Sequence, residues 1–136
     1  MGYWGLGIFE NDDAVDLLSE FEEQKSFSML IAAIELVITD DQVEVKEVNQ
    51  AVAAIEIVAA IYESKSDSFP ELESMTYQQL VSNFNNDVTN SVLSICEDAI
   101  SIITRMEDNM QVEILDNQGL LEEWLDVIDE LSERLF

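Results

Sequence analysis

The sequence predicts an all-α fold, a single domain of about five helices arranged around a middle one. Three observations carry that expectation. The stretch Val48 to Tyr62, VNQAVAAIEIVAAIY, sets Val48, Ala51, Val52, Ala54, Ile55, Val58, Ala59 and Ile61 at helical spacing, and Ala53, Ile57 and Ala60 fill most of the opposite face. A helix that is apolar nearly all round belongs inside a protein. At roughly fifteen residues it is too short to span a bilayer, which needs about 20. Apolar residues also recur at helical spacing on both sides of this stretch, and the alternation that marks a strand is confined to Val43–Val45. Finally, a chain of 136 residues fits one domain and can bury about two-thirds of its unfolded surface without disulfides or metals.

In chain order, residues 1–11, MGYWGLGIFEN, hold three of the four glycines among Tyr3, Trp4, Leu6, Ile8 and Phe9. They read as a structured N-terminal hook that buries aromatics while its backbone bends. The glycines do not form a phosphate loop, because no strand precedes them and no Lys-Ser/Thr pair follows. Asn11 or Asp12 caps a first helix running to about Gln24, with Ala14, Leu17, Leu18 and Phe21 inward and Asp12, Asp13 and Asp16 complementing its dipole. A second helix, about Ser26 to Thr39, is lined by Phe27, Leu30, Ile31, Ile34, Val37 and Ile38; Asp40, Asp41 and Gln42 then turn the chain into the central helix.

The segment SDSFPELES, Ser66 to Ser74, contains the single proline and separates a three-helix unit (12–65) from a C-terminal helix pair (76–136). Thr76 with Gln79 three residues on is a capping-box signal. From there Tyr77, Leu80 or Val81, Phe84, Val88, Val92, Ile95, Ala99, Ile102 and Met106 keep helical phase, which predicts one long helix to about residue 107, with Asn85 the place where it would kink or break. Asp116 to Gly119 form a turn. The last helix carries Leu120, Leu121, Trp124, Leu125, Ile128, Leu131 and Leu135 inward and Glu122, Glu123, Asp126, Asp129, Glu130 and Glu133 outward, with Glu130 four residues before Arg134.

Charge is the extreme property. Thirty carboxylates face five basic side chains, histidine is absent, and the formal net charge is −25. Residues 1–68 hold 15 acids and 3 bases and residues 69–136 hold 15 and 2, so the surplus is even rather than gathered in a tail. With 48% apolar residues the chain lacks the signature of disorder. An anionic surface repels nucleic acid and anionic membranes and attracts basic proteins at salt-sensitive rates; solubility or adaptation to a salty cytoplasm accounts for the same composition.

The opening Gly2, Trp4, Gly5, Gly7, Phe9, Asn11, Asp12, Ala14 and Asp16, written GYWGLGIFENDDAVD, resembles the start of a bacterial family catalogued as domain of unknown function 4259. Ala53 to Ala60, Phe69-Pro70, Glu123-Trp124 and Leu131 to Leu135 resemble its later blocks in the same order, so the likeness spans essentially the whole chain. It departs at Met106 to Val112, which stand where the family has a Ser-Glu-Leu…Trp block. The resemblance implies a small bacterial protein and supplies no established activity; some members look like candidates for immunity to toxins.

Within the apolar central helix, Glu56 needs a partner, because a lone buried carboxylate costs several kcal/mol. The glycine-rich hook offers unpaired N–H groups and Trp4 an indole donor, so the expectation is that residues 2–9 donate to Glu56 and pin the N-terminus across the helix. Phe9, Asp12 and Trp124 are further structural candidates. Cys96 lies on the stripe of Val92, Ile95, Ala99 and Ile103 and reads as a buried, inert thiol. No secretory leader and no span of membrane length are expected, which points to a reduced cytoplasmic setting.

Without histidine, Ser-His and Cys-His nucleophilic chemistry is excluded, as is the Glu-x-x-His of di-iron bundles. Direct nucleic-acid binding lacks the basic patch that neutralises phosphates. An interaction protein therefore leads: not an enzyme, with no cofactor and no metal, an immunity protein or inhibitor covering a basic toxin or nuclease. Its candidate partner-binding faces are Asp126, Asp129, Glu130 and Glu133 on the last helix, and Asp12, Asp16, Glu20 and Glu23 on the first. Two readings compete. A mimic of DNA charge would block several DNA-binding proteins with loose specificity, and a small Ca²⁺- or Mg²⁺-binding regulatory domain would draw on clusters such as Asp12, Asp13, Asp16 and Glu20, although EF-hand spacing is missing.

Overall fold

Every residue from Ala51 to Ile61 is buried, which makes the third helix the axis of the molecule. The computed structural model describes residues 6–39, 43–62, 64–105 and 109–136. Among them the helices are α1 (Asp12–Gln24), α2 (Phe27–Thr39), α3 (Val45–Ile61), α4 (Tyr77–Phe84), α5 (Asn90–Ile103), α6 (Met110–Asn117) and α7 (Leu121–Leu135), with a single 3-10 turn at Asn85–Asp87 and no strand. The all-α expectation holds, with seven helices rather than five. Six helices surround α3 and each touches it, α2 most extensively. Ala51, Ala53, Ala54, Ala59 and Ala60 are fully buried, and their small side chains let so many neighbours approach one helix.

The first helix starts where capping chemistry places it. Asn11, of the two residues able to cap, accepts the Ala14 N–H at 2.9 Å, satisfying one of the amides a helix start leaves unpaired. The helix ends with Lys25 in the left-handed region (φ 51°), its N–H on the Phe21 carbonyl. Of the hook, the described residues Leu6, Ile8 and Phe9 pack against the core, and Phe9 meets Phe69 edge-on with ring centroids 5.7 Å apart. Trp4, like Asp40–Gln42 and Met106, lies outside the described residues.

The single long helix expected from about 76 to 107 is instead two. α4 ends at Phe84, the 3-10 turn follows, Val88 is extended, and Thr89 opens α5 by accepting the Val92 N–H at 3.3 Å. Asn83, Asn85 and Asn86 are weak helix formers and Thr89 is a strong cap, so local propensity broke what the apolar phase suggested was continuous. Phase is blind to a break that leaves both pieces facing the same core: Leu80 and Phe84 on α4, and Val92, Cys96, Ala99 and Ile103 on α5, are all buried.

The helix α6 was not anticipated. Asn109 starts it, accepting the Val112 N–H at 3.2 Å while its amide donates to the Ile103 and Arg105 carbonyls at 2.8 and 2.9 Å. One side chain thereby caps α6 and occupies the carbonyls at the end of α5. Gly119, at φ 72°, stops α6: Leu120 N–H reaches the Leu115 carbonyl at 2.8 Å and Gly119 N–H the Asp116 carbonyl at 3.1 Å, a left-handed closure that favours glycine.

Cys96 is fully buried, and desolvation pushes its thiol up to about 12. A thiol that stays protonated is a poor nucleophile. Native protein at pH 8 is expected to react with a thiol reagent such as DTNB only at the rate of global opening, and to release one equivalent at once in denaturant. Rapid labelling of the native state would show an accessible thiolate.

Candidate functional site: the outer face of the last helix

In α7 the apolar positions Trp124, Ile128, Leu131 and Leu135 are buried, and Glu122, Glu123, Asp126, Asp129, Glu130 and Glu133 are exposed. Trp124 lies between the body and the hook, sharing a small space with Leu6, Ile8, Asn49 and Val52. Every carboxylate of the expected α7 row therefore faces outward. So do Asp12, Asp16, Glu20 and Glu23 on α1. Among the described residues, of these eight only Glu130 is paired with a base.

That base is Arg134, and it also meets the buried carboxylate of Glu56. Both oxygens of Glu56, a residue 1% exposed, are held by the Arg134 guanidinium: Nη1 to Oε2 and Nη2 to Oε1, each at 2.7 Å. Arg134 Nη1 also donates to the Ser64 carbonyl at 2.7 Å, and Nε donates to Glu130. Among the described residues the partner of the buried carboxylate is Arg134 in the last turn of α7, 78 residues away. The described hook glycine, Gly7, donates its N–H to Glu10, and residues 1–5 of the hook lie outside the described residues. A planar guanidinium matches both carboxylate oxygens at once and keeps donors for a carbonyl and a second acid, which a scatter of backbone amides does less well. Burial nevertheless raises the Glu56 pKa above the ordinary carboxylate value. Desolvation outweighs the Arg134 hydrogen bonds and charge, Glu130 adds repulsion, and the Ser66 backbone offsets a little. The pair clamps α7 to the centre of α3. The Glu130–Arg134 spacing was legible as a surface pair, but its extension inward was not.

Glu22 was missed altogether. It is buried, and its Oε1 accepts the Glu73 and Ser74 N–H groups at 2.7 and 2.9 Å and the Ser74 hydroxyl at 3.1 Å. The carboxylate thus holds the end of the 64–76 loop to α1. Asp13, at the other end of α1, also has a structural task, accepting the Asn49 amide of α3 at 3.0 Å. The signal available in the sequence was one of phase, since Glu22 follows Leu18 by four on the inward stripe.

Beside Arg134 the outer face of α7 forms one wall of an open groove. Asp126, Val127 and Glu130 line that side, and Ile8 of the hook with Ser66 and Ser68 of the loop line the other. The structure brings Asp126 and Glu130 to this groove; Asp129 and Glu133 stay on the open helix face, and the α1 row does not border the groove. Among the described residues no three carboxylate or thiol side chains are arranged to hold a metal ion, Asp12, Asp13, Asp16 and Glu20 included. None of the described helices is long and apolar enough to cross a membrane.

Helices throughout the described residues, with rows of carboxylates turned outward from α7 and α1, make this an all-α protein with acidic outer helix faces. The chain belongs to the family described as Domain of unknown function (DUF4259), whose model matches residues 2–133. No curated protein and no solved structure matches it.

Proposed function

We propose that the chain is an acidic interaction protein, an immunity protein or inhibitor that binds and neutralises a basic toxin or nuclease through the outer face of α7. The observation that carries this reading is the juxtaposition on α7 of exposed Asp126, Asp129, Glu130 and Glu133 with the groove that Ile8 and Val127 make partly apolar. Carboxylates on a convex helix steer a cationic partner and speed its approach, whereas affinity requires side chains that seat in a desolvated recess. A net charge of −25 supplies the long-range attraction. The α1 row has exposed charge of the same sign without that groove.

The test is titration of the product of the neighbouring reading frame, made catalytically inactive, at low and moderate salt. A one-to-one complex is expected, with association slowing as salt rises. Combined Asp126→Lys, Asp129→Lys and Glu133→Lys should weaken it by about tenfold or more through slower association, while the same reversal at Asp12, Asp16 and Glu20 should matter far less. Equal sensitivity to both sets would return the acidity to general solubility, and comparable binding to many unrelated DNA-binding proteins would favour the charge-mimic reading.

A further inference from the structure

We infer that a second groove, between the 64–76 loop and the start of α4, is the anchor site of the basic partner and takes one large apolar or aromatic side chain flanked by Lys or Arg. This rests on the proposed reading that the partner is basic, and it adds where such a partner would seat. The groove is open to solvent, is walled by Phe69, Pro70, Leu72, Met75 and Tyr77 with Lys65 at its edge, and has a volume of about 440 Å³. That lies within the roughly 300 to 1,000 Å³ that hold whole small ligands, so a single bulky side chain has room.

Its walls are held in place before anything binds. The Tyr77 hydroxyl donates to the Ala60 carbonyl at 2.8 Å, Phe69 is stacked edge-on against Phe9, Pro70 restricts its own backbone, and Glu22 grips the Glu73 and Ser74 amides. A recess built this way loses little freedom on binding, which is where preorganisation gains affinity. The adjoining Ser66 and Ser68 line the α7 groove, so the loop is a wall common to both and a partner steered to α7 arrives beside this recess.

Charge selects the occupant. Exposed Glu71 lines the recess, exposed Asp67 and Glu73 lie on the same loop, and Lys65 at the edge has its ammonium 5.3 Å from the Tyr77 ring centroid. A second copy of this chain carries the same −25 and is repelled. A cationic segment is attracted, and its apolar residue has a place to be desolvated.

The experiment compares two capped peptides, Lys-Lys-Phe-Lys-Lys and Lys-Lys-Ala-Lys-Lys, titrated into the full chain at 50 mM NaCl, with backbone amide shifts mapping where each binds. The phenylalanine peptide is expected to bind about tenfold tighter, with shifts at residues 65–77. Leu72→Ala should remove that preference, while Glu71→Lys, at an exposed position, should weaken both peptides and leave the melting temperature in place. Equal affinities, or shifts confined to other residues, would overturn the anchor site while leaving a basic partner open to the titration described above. Binding by neither peptide would also overturn it. Light scattering that shows a salt-promoted dimer with shifts at residues 65–77 would assign the groove to a second copy and reject a basic occupant.

Discussion

Replacing Arg134 by methionine is expected to lower stability at pH 7 by about 3 to 5 kcal/mol, the cost of leaving a buried charge without its partner. The urea midpoint measures it. Methionine keeps much of the aliphatic stem, so the loss reports the guanidinium rather than packing. Adding Glu56→Leu in the same chain should recover most of the stability or exceed the original, because two ions no longer have to leave water. Glu56→Gln alone should also destabilise, since it gives Arg134 a weaker, neutral acceptor. An Arg134→Met midpoint equal to that of the original protein would mean that the clamp between α7 and α3 carries no energetic weight. Equal losses in the single and double variants would show that the cost is not that of an unpaired Glu56 charge.

The same variant has a signed pH dependence. Burial raises the Glu56 pKa above its ordinary 4.5 in the folded protein, so the native state holds its proton more tightly than the unfolded chain does. Stability from this group is therefore greatest below the unfolded value and declines as pH rises through the window up to the folded value. Removing Arg134 takes away the interactions that pull the pKa back and widens that window upward. The loss caused by Arg134→Met should consequently shrink as the pH is lowered from 7 toward 4.5, where a protonated Glu56 no longer needs a cation. Comparing the two proteins at each pH cancels the general relief of carboxylate repulsion on acidification. A loss equal at both ends would sink the electrostatic account.

Truncation of Phe84 to alanine is expected to be comparable, about 3 to 5 kcal/mol, read as a fall in the thermal midpoint. Phe84 is buried at the end of α4, with its ring centroid 5.2 Å from that of Phe21 on α1 and 6.4 Å from that of Phe27 on α2. It ties the first two helices to the corner where α4 gives way to α5. An exposed neighbour in that corner, Asn86→Ala, should change the midpoint little and serves as the control.

How far the chain could be read in advance follows from the range of each interaction. α1 and α2 were legible within a residue or two, because their apolar spacing, and for α1 the Asn11 cap, lie within a few positions of each other. The start of α4 was legible for the same reason: Thr76 accepts the Gln79 N–H at 3.1 Å and the Gln79 side chain accepts the Thr76 N–H at 2.9 Å. The outward α7 carboxylates follow from the inward phase of Trp124, Ile128, Leu131 and Leu135. α6 went unread because its start depends on Asn109 bonding back to Ile103 and Arg105, contacts that exist once α5 has ended there. Glu22 went unread because its partners lie 51 and 52 residues on, in a loop without periodicity.

By itself, then, the amino-acid order determined that the chain is helical, that the middle helix is enclosed, and that negative charge is spread over the outside, since each of these depends on local spacing and on composition. Tertiary structure alone decided which cation answers the buried Glu56, where the fourth helix stops, and which loop forms the wall shared by two grooves. A carboxylate's need for a donor is written at its own position, but the donor that meets it is chosen by how distant segments pack, and nothing near Glu56 in the chain points to Arg134.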